Sequence, residues 1–335
     1  MMKRPSTLAD VARRAGTSTA VVSYVMNDGP RPVAAATRER VLAAAAELGY
    51  RPNRIARALR SRTTGVAGLV LADASNPYFG ALARHVERAL ESRDLLTLVG
   101  NAGYSARRQR HLVERFLAAQ VDGLVIVSAD SVGDVADVTE AAGVRAVYIH
   151  NGPPGARVAA ADNQGAVREA VAHLRGHGHR HVAFLAGPDD EGPVGVRRAA
   201  WHAAVAGDPD AALLRCAYSR AEADALTRRL AAVGALPHAL VTATDEQAIG
   251  VLSGAWACGL AVPDRLAVIS LDGTPESAHT APALTVTEQP LQAMAEQAVA
   301  LLFDEAPAPL APHAALVTRH SCGCGVRPQG EVQRT

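Results

Sequence analysis

The sequence predicts an all-α helix-turn-helix head joined to a two-lobed α/β core of two parallel, doubly wound sheets. Three observations carry this. Residues 7–27, "TLADVARRAGTSTAVVSYVMN", read as two short helices hinged at one glycine. From Gly65 onward, apolar strand-like runs alternate with amphipathic helical stretches, the pattern that builds parallel sheets through right-handed crossovers. Charge is also partitioned. Residues 1–62 carry twelve Lys and Arg against four Asp and Glu, a surplus of eight, which leaves −7 for the remainder within a total of +1. A basic head on an acidic body points to a polyanionic partner for the head alone. Lys3 is the only lysine among 34 basic residues, so the arginine count reflects composition bias, and its distribution is the signal.

In the head, Thr7 caps a first helix with Asp10 three residues on, a short form of the capping box. Gly16 ends that helix, and Ser18 caps a second running to about Asn27. Val11, Ala12, Ala15, Val21, Val22 and Val25 supply a small shared core. "NDGPRP" is a loop by its Gly and Pro content. Residues 37–50, "TRERVLAAAAELGY", form a third helix with Gly49 as its stop. Residues 51–62, "RPNRIARALRSR", place Ile55, Ala56 and Leu59 at helical spacing among arginines. So short a helix is unstable alone and orders only against a partner.

In the core, "GVAGLVLADAS" reads as a buried strand, and "LLTLVGNAG", "VDGLVIVSAD", "RAVYIHN", "HVAFLAGP", "HALVTATD" and "LAVISLDG" read as further strands. Helical stretches such as "YFGALARHVERALESR" separate them. Two sheets fit into residues 65–330, with a ligand cleft at the carboxyl ends of their strands. The polar strand ends at Asp73–Asn76, 128–130, His150 and Asn151, Thr244 and Asp245, and Asp272 and Gly273 are expected to line it.

At 335 residues the chain exceeds one core. It has no apolar leader and no run of 18 apolar residues, so a cytoplasmic protein without a membrane span is expected. Cys216, Cys258, Cys322 and Cys324 form no disulfide framework.

The order and spacing of "TLADVARRAGTSTAVVSYVMN", "TRERVLAAAAELGYRPNRIARAL", "DASNPYFGALARHVE", "VDGLVIV", "GHRHVAFLAGP", "ALPHALVTATDEQAIGVL" and "APALTVTEQP" resemble the LacI/GalR family of transcriptional regulators over essentially the whole chain. The resemblance implies a DNA-binding head at 1–50 and a hinge helix at 51–62. It also implies a periplasmic-binding-protein-like core at 63–330, with a first lobe of 63–161 plus 290–318 and a second of 162–289 plus 319–330. The second helix is then expected in the major groove of operator DNA. The implied DNA-binding residues are Thr7, Ser18, Thr19, Ala20, Ser23, Tyr24 and Asn27 in the head. Arg51, Asn53, Arg54, Ala56 and Leu59 follow in the hinge. Thr19 and Ala20 suit methyl contacts or weak hydrogen bonds rather than bidentate base pairing. Tyr24 stands where many relatives carry Arg. Base reading and phosphate contact or packing remain equal readings for it. Leu59 matches the leucine that wedges into the minor groove. One head covers one half-site, so a homodimer on a near-palindromic operator is implied. No leucine heptad tail is present, so no tetramer is expected.

In the core the resemblance implies an effector site of Tyr78, Phe79, Ser128, His150, Arg197, Trp201, Thr244 and Asp272. An arginine facing an aspartate across a cleft can bridge a polyol by charge-assisted hydrogen bonds. The plain alternative is a salt bridge between lobes. His150 departs from the family pattern, where many members carry Asp. A sugar is the expected effector, and a purine stacked on Tyr78 or Phe79 is the alternative. Both induction and corepression fit these motifs.

Two rival classes share parts of this pattern. An extracytoplasmic solute-binding protein shares the two-lobed fold, but it calls for a leader and no basic head. An enzyme is the second. "HLRGHGHRH" at residues 173–181 holds four histidines, with His173 and His177 on one helix face, a spacing able to hold a metal. The segment otherwise reads as a helix end and loop. Cys322 and Cys324 supply half of a metal's ligands and are read as a loose tail. No HExxH, Walker loop or GxSxG occurs. No catalytic residue, metal site or cofactor is therefore assigned.

Overall fold

The computed structural model describes residues 6–26, 31–51, 63–127, 135–189, 192–305 and 311–325. Contacts divide the chain into two units at Thr64 and Gly65.

The head is three helices, α1 (Leu8–Ala15), α2 (Thr19–Met26) and α3 (Ala35–Glu47). The Thr7 hydroxyl accepts from Asp10 N, and the Asp10 carboxylate accepts from Thr7 N at 2.9 Å, which closes the capping box. Gly16 turns the chain at φ +63°, where a Cβ is disfavoured. The Ser18 hydroxyl accepts from Val21 N at 3.3 Å and starts α2. α3 begins two residues before the expected Thr37, at Ala35, with no side chain capping it. Val11, Ala12 and Ala15 of α1 meet Val22 and Val25 of α2 and Val41, Ala44 and Ala45 of α3. Arg14 and Glu47 pair at 2.7 Å across α1 and α3.

The second unit carries two sheets. The first lobe runs β1 (Val66–Leu71), α4 (Pro77–Glu91), β2 (Leu96–Asn101), α5 (Ala106–Ala118), β3 (Gly123–Val127), α6 (Ala136–Ala141), β4 (Ala146–Ile149) and β5 (Arg157–Ala159). Its sheet order is β2-β1-β3-β4-β5, all parallel. The second lobe runs α7 (Asn163–Gly176), β6 (Ala183–Ala186), α8 (Gly192–Ala204), β7 (Leu213–Arg215), α9 (Arg220–Ala232), β8 (Ala239–Thr242), α10 (Asp245–Ala257), β9 (Ala267–Ser270), a 3₁₀ turn at Pro275–His279, and β10 (Thr285–Glu288). The chain then returns to the first lobe as α11 (Leu291–Leu302), and back to the second as β11 (Ala315–Val317). The second sheet has the order β11-β10-β9-β8-β6-β7. It is parallel except where β11 runs antiparallel to β10, with Val317 opposite Val286.

Burial explains these placements. β1 and β3 are buried almost end to end, as strands covered on both faces must be. Met294, Ala295, Ala298, Val299 and Leu302 of α11 join Leu69, Leu82 and Leu90 in the first lobe's core. β11 corrects the expected lobe boundary. Residues 315–317 hydrogen-bond to the second sheet, so the first lobe's share ends before them instead of at 318. The loose-tail reading of Cys322 is also corrected. Ser321 Oγ donates to Val268 O at 2.7 Å and accepts from Thr285 N at 2.8 Å. Cys322 is 1% exposed, within the core that α7 and α8 form on the sheet. In each lobe the first strand has neighbours reached in opposite directions: β1 lies between β2 and β3, and β6 lies between β7 and β8. Crevices open beyond the carboxyl ends of strands at such switch points.

Candidate functional site

The first lobe brings aromatic rings to the crevice. Asn76 caps α4 by accepting from Tyr78 N at 2.9 Å. This fixes Tyr78 and Phe79 in the first turn, edge to face with centroids 5.4 Å apart. The chain leaves β4 through His150 at φ +79°, a left-handed conformation uncommon outside glycine. That turn brings His150 Nε2 within 3.2 Å of Tyr78 Oη. Its Nδ1 is buried without a hydrogen-bond partner among the described residues. Burial, reinforced by the charge of Arg197, lowers the His150 pKa to about 3, so the ring stays neutral. Burial also pushes the Tyr78 and Tyr104 hydroxyls upward.

The second lobe supplies the charges. Arg197, on α8, is 3% exposed. Its Nε donates to Asn163 Oδ1 at 2.7 Å, and its Nη1 donates to Ala243 O at 2.5 Å and to Asp272 Oδ1 at 3.1 Å. Asp272, just past β9, accepts a further bond from Asp245 N at 3.1 Å through Oδ2. Asp245 is itself buried and held by Ser270 Oγ at 2.5 Å and Thr274 Oγ1 at 2.7 Å. Burial raises the Asp272 pKa to about 6 against the pull of Arg197, and Asp245 adds to the rise. The expected arginine-to-aspartate bridge across the cleft is thereby corrected. Both residues belong to the second lobe and pair directly, so the couple is not a bond between lobes.

Tyr78, Phe79, His150, Arg197, Thr244 and Asp272 line one cavity of about 50 Å³. Sequence reasoning missed Tyr104, Pro193, Val194 and Tyr218, which line it too. Tyr104 follows β2 and Tyr218 follows β7; their rings lie 6.2 Å apart across the crevice. Tyr104 could have been found as an aromatic just past a recognised strand. Tyr218 could not, because β7 has three residues and no legible pattern. Trp201 does not reach the cavity. It stacks on Phe184 at 5.8 Å and its indole donates to Val182 O at 2.8 Å, one helical turn beyond Arg197 and facing the core. Ser128 lies outside the described residues.

In the head, Ser18, Thr19 and Ala20 are exposed, Ser23 and Tyr24 half-buried, and Val22 and Val25 turned inward. α2 thus presents a short polar face at its N-terminal end. The Thr7 hydroxyl is engaged with Asp10 at 2.6 Å. Arg51 is exposed; Asn27, Asn53, Arg54, Ala56 and Leu59 lie outside the described residues.

Comparison with known proteins agrees with both halves. Residues 7–53 match bacterial regulatory proteins of the lacI family, and residues 171–322 match the periplasmic binding protein-like domain. Catabolite control protein A of Priestia megaterium is 31% identical over 310 residues, covering 88% of this chain and 91% of that protein. The transcriptional regulator GalS of Salmonella typhimurium is 31% identical, covering 94% and 96%. The crystal structure of the lac repressor dimer bound to operator and the anti-inducer ONPF superposes with a TM-score of 0.84 at 26% identity, over 95% of this chain and 99% of that one. A regulator, CelR, in complex with cellobiose gives 0.68 at 27% identity, over 94% and 99%. Among the described residues no helix is long and apolar enough to cross a membrane. With a helix-turn-helix head, two doubly wound sheets and these similarities along nearly its whole length, the chain belongs to the lacI family of bacterial regulatory proteins.

Proposed function

We propose that this protein is a cytoplasmic transcriptional repressor that binds a near-palindromic operator as a homodimer and answers to a small polyhydroxylated effector, a sugar, in the crevice between its lobes. The observation that carries the effector class is the buried Arg197–Asp272 couple lining one cavity with Tyr78, Tyr104 and Tyr218. A carboxylate accepts from hydroxyls, a guanidinium donates to ring and hydroxyl oxygens, and an aromatic face covers the apolar side of a sugar ring. The CelR structure holds cellobiose, and it supports the class by analogy. The same rings would stack on a purine, which is the second class to test.

The cavity of about 50 Å³ is small, so ligand entry requires the tyrosines of the two lobes to separate. Ligand binding then favours one degree of lobe closure over another, and through the segment at 51–62 changes affinity for DNA. The test is fluorescence anisotropy of labelled operator with the full-length protein, titrated with a panel of sugars and of purine bases. A sugar that shifts the operator affinity is the expected result. Response to purines alone would replace the effector class, and failure to select any duplex sequence would remove the regulatory reading.

A further inference from the structure

The histidines and cysteines that the sequence leaves apart are brought together by the fold. His173 lies in the last turn of α7 and His177 follows as its cap. Cys322 and Cys324 sit on the turn after β11. His173 Nε2 is 3.3 Å from Cys322 Sγ and 3.4 Å from Cys324 Sγ. His177 Nε2 is 3.2 Å from Cys324 Sγ. One donor atom from each of the four side chains falls within 4.8 Å of every other. We propose that these four residues form a tetrahedral Cys₂His₂ site for Zn(II), which fastens the C-terminal turn to α7.

The geometry supports this ion. With Zn–S of about 2.3 Å and Zn–N of about 2.0–2.1 Å, the edges of a mixed tetrahedron span about 3.3–3.8 Å. The three nitrogen–sulfur distances lie close to that range before any ion draws the groups together. Two thiolates and two neutral imidazoles around a divalent ion give zero net charge, and two nitrogen and two sulfur donors favour zinc over harder cations. Binding would release the two thiol protons to solvent.

The surroundings are built for the same end. Thr285 Oγ1 donates to Cys322 Sγ at 3.0 Å, which orients the buried sulfur. Gly323, between the cysteines, has φ +103°, where a Cβ is strongly disfavoured, and this fold of the backbone lets both sulfurs face the histidines. Cys322 is buried, His173 and Cys324 half-buried, and His177 exposed, so an ion can enter from solvent. Four protein ligands close the coordination sphere, which makes the site structural and leaves no position for catalysis. It lies on the α7 side of the second lobe, formed by residues other than those lining the crevice, and stands or falls independently of the effector reading.

The test uses the full-length protein, reduced, stripped with a chelator and titrated with Co(II) alone. The expected result is one equivalent per chain, with thiolate-to-cobalt charge transfer and the intense visible bands of a tetrahedral ion, both abolished by Zn(II). Cys324→Ser and His177→Gln change the outward side of the site. Each should weaken binding by more than the roughly 10–100-fold expected for loss of an outlying partner such as Thr285. His181→Gln, in a neighbouring cluster with Asp208 and Asp210, should leave the titration unchanged. Alkylation mapped by mass spectrometry needs no variant. Zn(II) should protect Cys322 and Cys324 while Cys216 and Cys258 react as before. Absence of the tetrahedral spectrum, binding undiminished in both variants, or alkylation unaffected by Zn(II) would each overturn the proposal.

Discussion

Arg197 and Asp272 meet at 3.1 Å with side chains only 4% and 6% exposed, on one lobe of a two-lobed core. Each is held by further bonds, Arg197 by Asn163 and Ala243, and Asp272 by the amide of Asp245. A buried pair so restrained presents fixed charges to whatever enters the crevice. Removing one member strands the other, at a cost of about 3–5 kcal/mol. Asp272→Asn keeps the shape and loses the charge. It is expected to lower effector affinity by about a hundredfold, from the loss of charge-assisted bonds, while effector-free operator affinity stays within about threefold of the parent. Anisotropy titrations of both proteins check this. An unchanged effector response would remove Asp272 from the site.

The pH dependence of that affinity has a definite sign. Asp272 titrates at about 6, above the ordinary carboxylate value, so it is ionised and accepting above that pH and protonated below it. Effector affinity should fall by up to about tenfold per pH unit below 6. Between the unfolded value near 4 and about 6, the native state holds a proton that the unfolded chain lacks. This group's contribution to stability therefore declines as pH rises through that window. Isothermal titration from pH 7.5 to 5 with parent and Asp272→Asn tests the first point; the variant should lose the dependence.

His150 works in the opposite direction. Its folded value of about 3 lies far below that of a free imidazole, so acid protonates the unfolded chain first. Stability is lost as pH falls below about 6.5, by up to about 1.4 kcal/mol per unit. His150→Asn should flatten the acid limb of the thermal unfolding midpoint. An NMR titration showing His150 protonating near 6.5 would contradict the burial that underlies this expectation.

α9 and α10 approach closely because α10 carries Gly250 and Gly254 on the facing side. A Cβ at Gly254 would lie 2.8 Å from Asp224 O, and at Gly250 it would press on the Arg220 carbonyl. Backbone cannot yield as a side-chain tip does. Gly250→Ala is expected to destabilise the protein by about 1–3 kcal/mol despite the better helix propensity of alanine. Chemical denaturation of the variant measures it. A neutral or stabilising result would mean the two helices can part without loss.

The basic head should show its charge in salt dependence. Operator affinity is expected to drop about 10³–10⁵-fold between 50 and 200 mM salt if six to ten phosphates are contacted. The fragment 65–335 should lose DNA binding. Leu59→Ala, at a position outside the described residues, is expected to cost about 1–3 kcal/mol of operator binding with little change in unfolding, as befits a wedge that acts only on DNA. Gel-shift titrations across salt, with the parent, fragment and variant, decide among these outcomes.

By itself the sequence determined whatever rests on local order. The capping box at Thr7 and Asp10, the glycine turn at Gly16 and the seven strands read from the core follow from hydrophobic periodicity and from side chains bonding to nearby backbone. Those interactions span only a few residues. The polar strand ends of the crevice were legible for the same reason, since a parallel sheet puts them on one edge. Only the tertiary structure decided the rest. Trp201 and Arg197 are four residues apart on one face of a helix, yet one packs in the core and the other reaches the crevice, a matter of position along the helix axis relative to the strand ends, which composition does not encode. β5, β7 and β11 have three residues each and exist because a neighbouring edge supplies hydrogen bonds. Arg197 and Asp272 pair within one lobe instead of across two, because α8 and the end of β9 pack on the same sheet. His173, His177, Cys322 and Cys324 read as a helix end and a tail, because contacts across 149 residues leave no periodic trace in sequence. Long-range packing alone brings their donor atoms together.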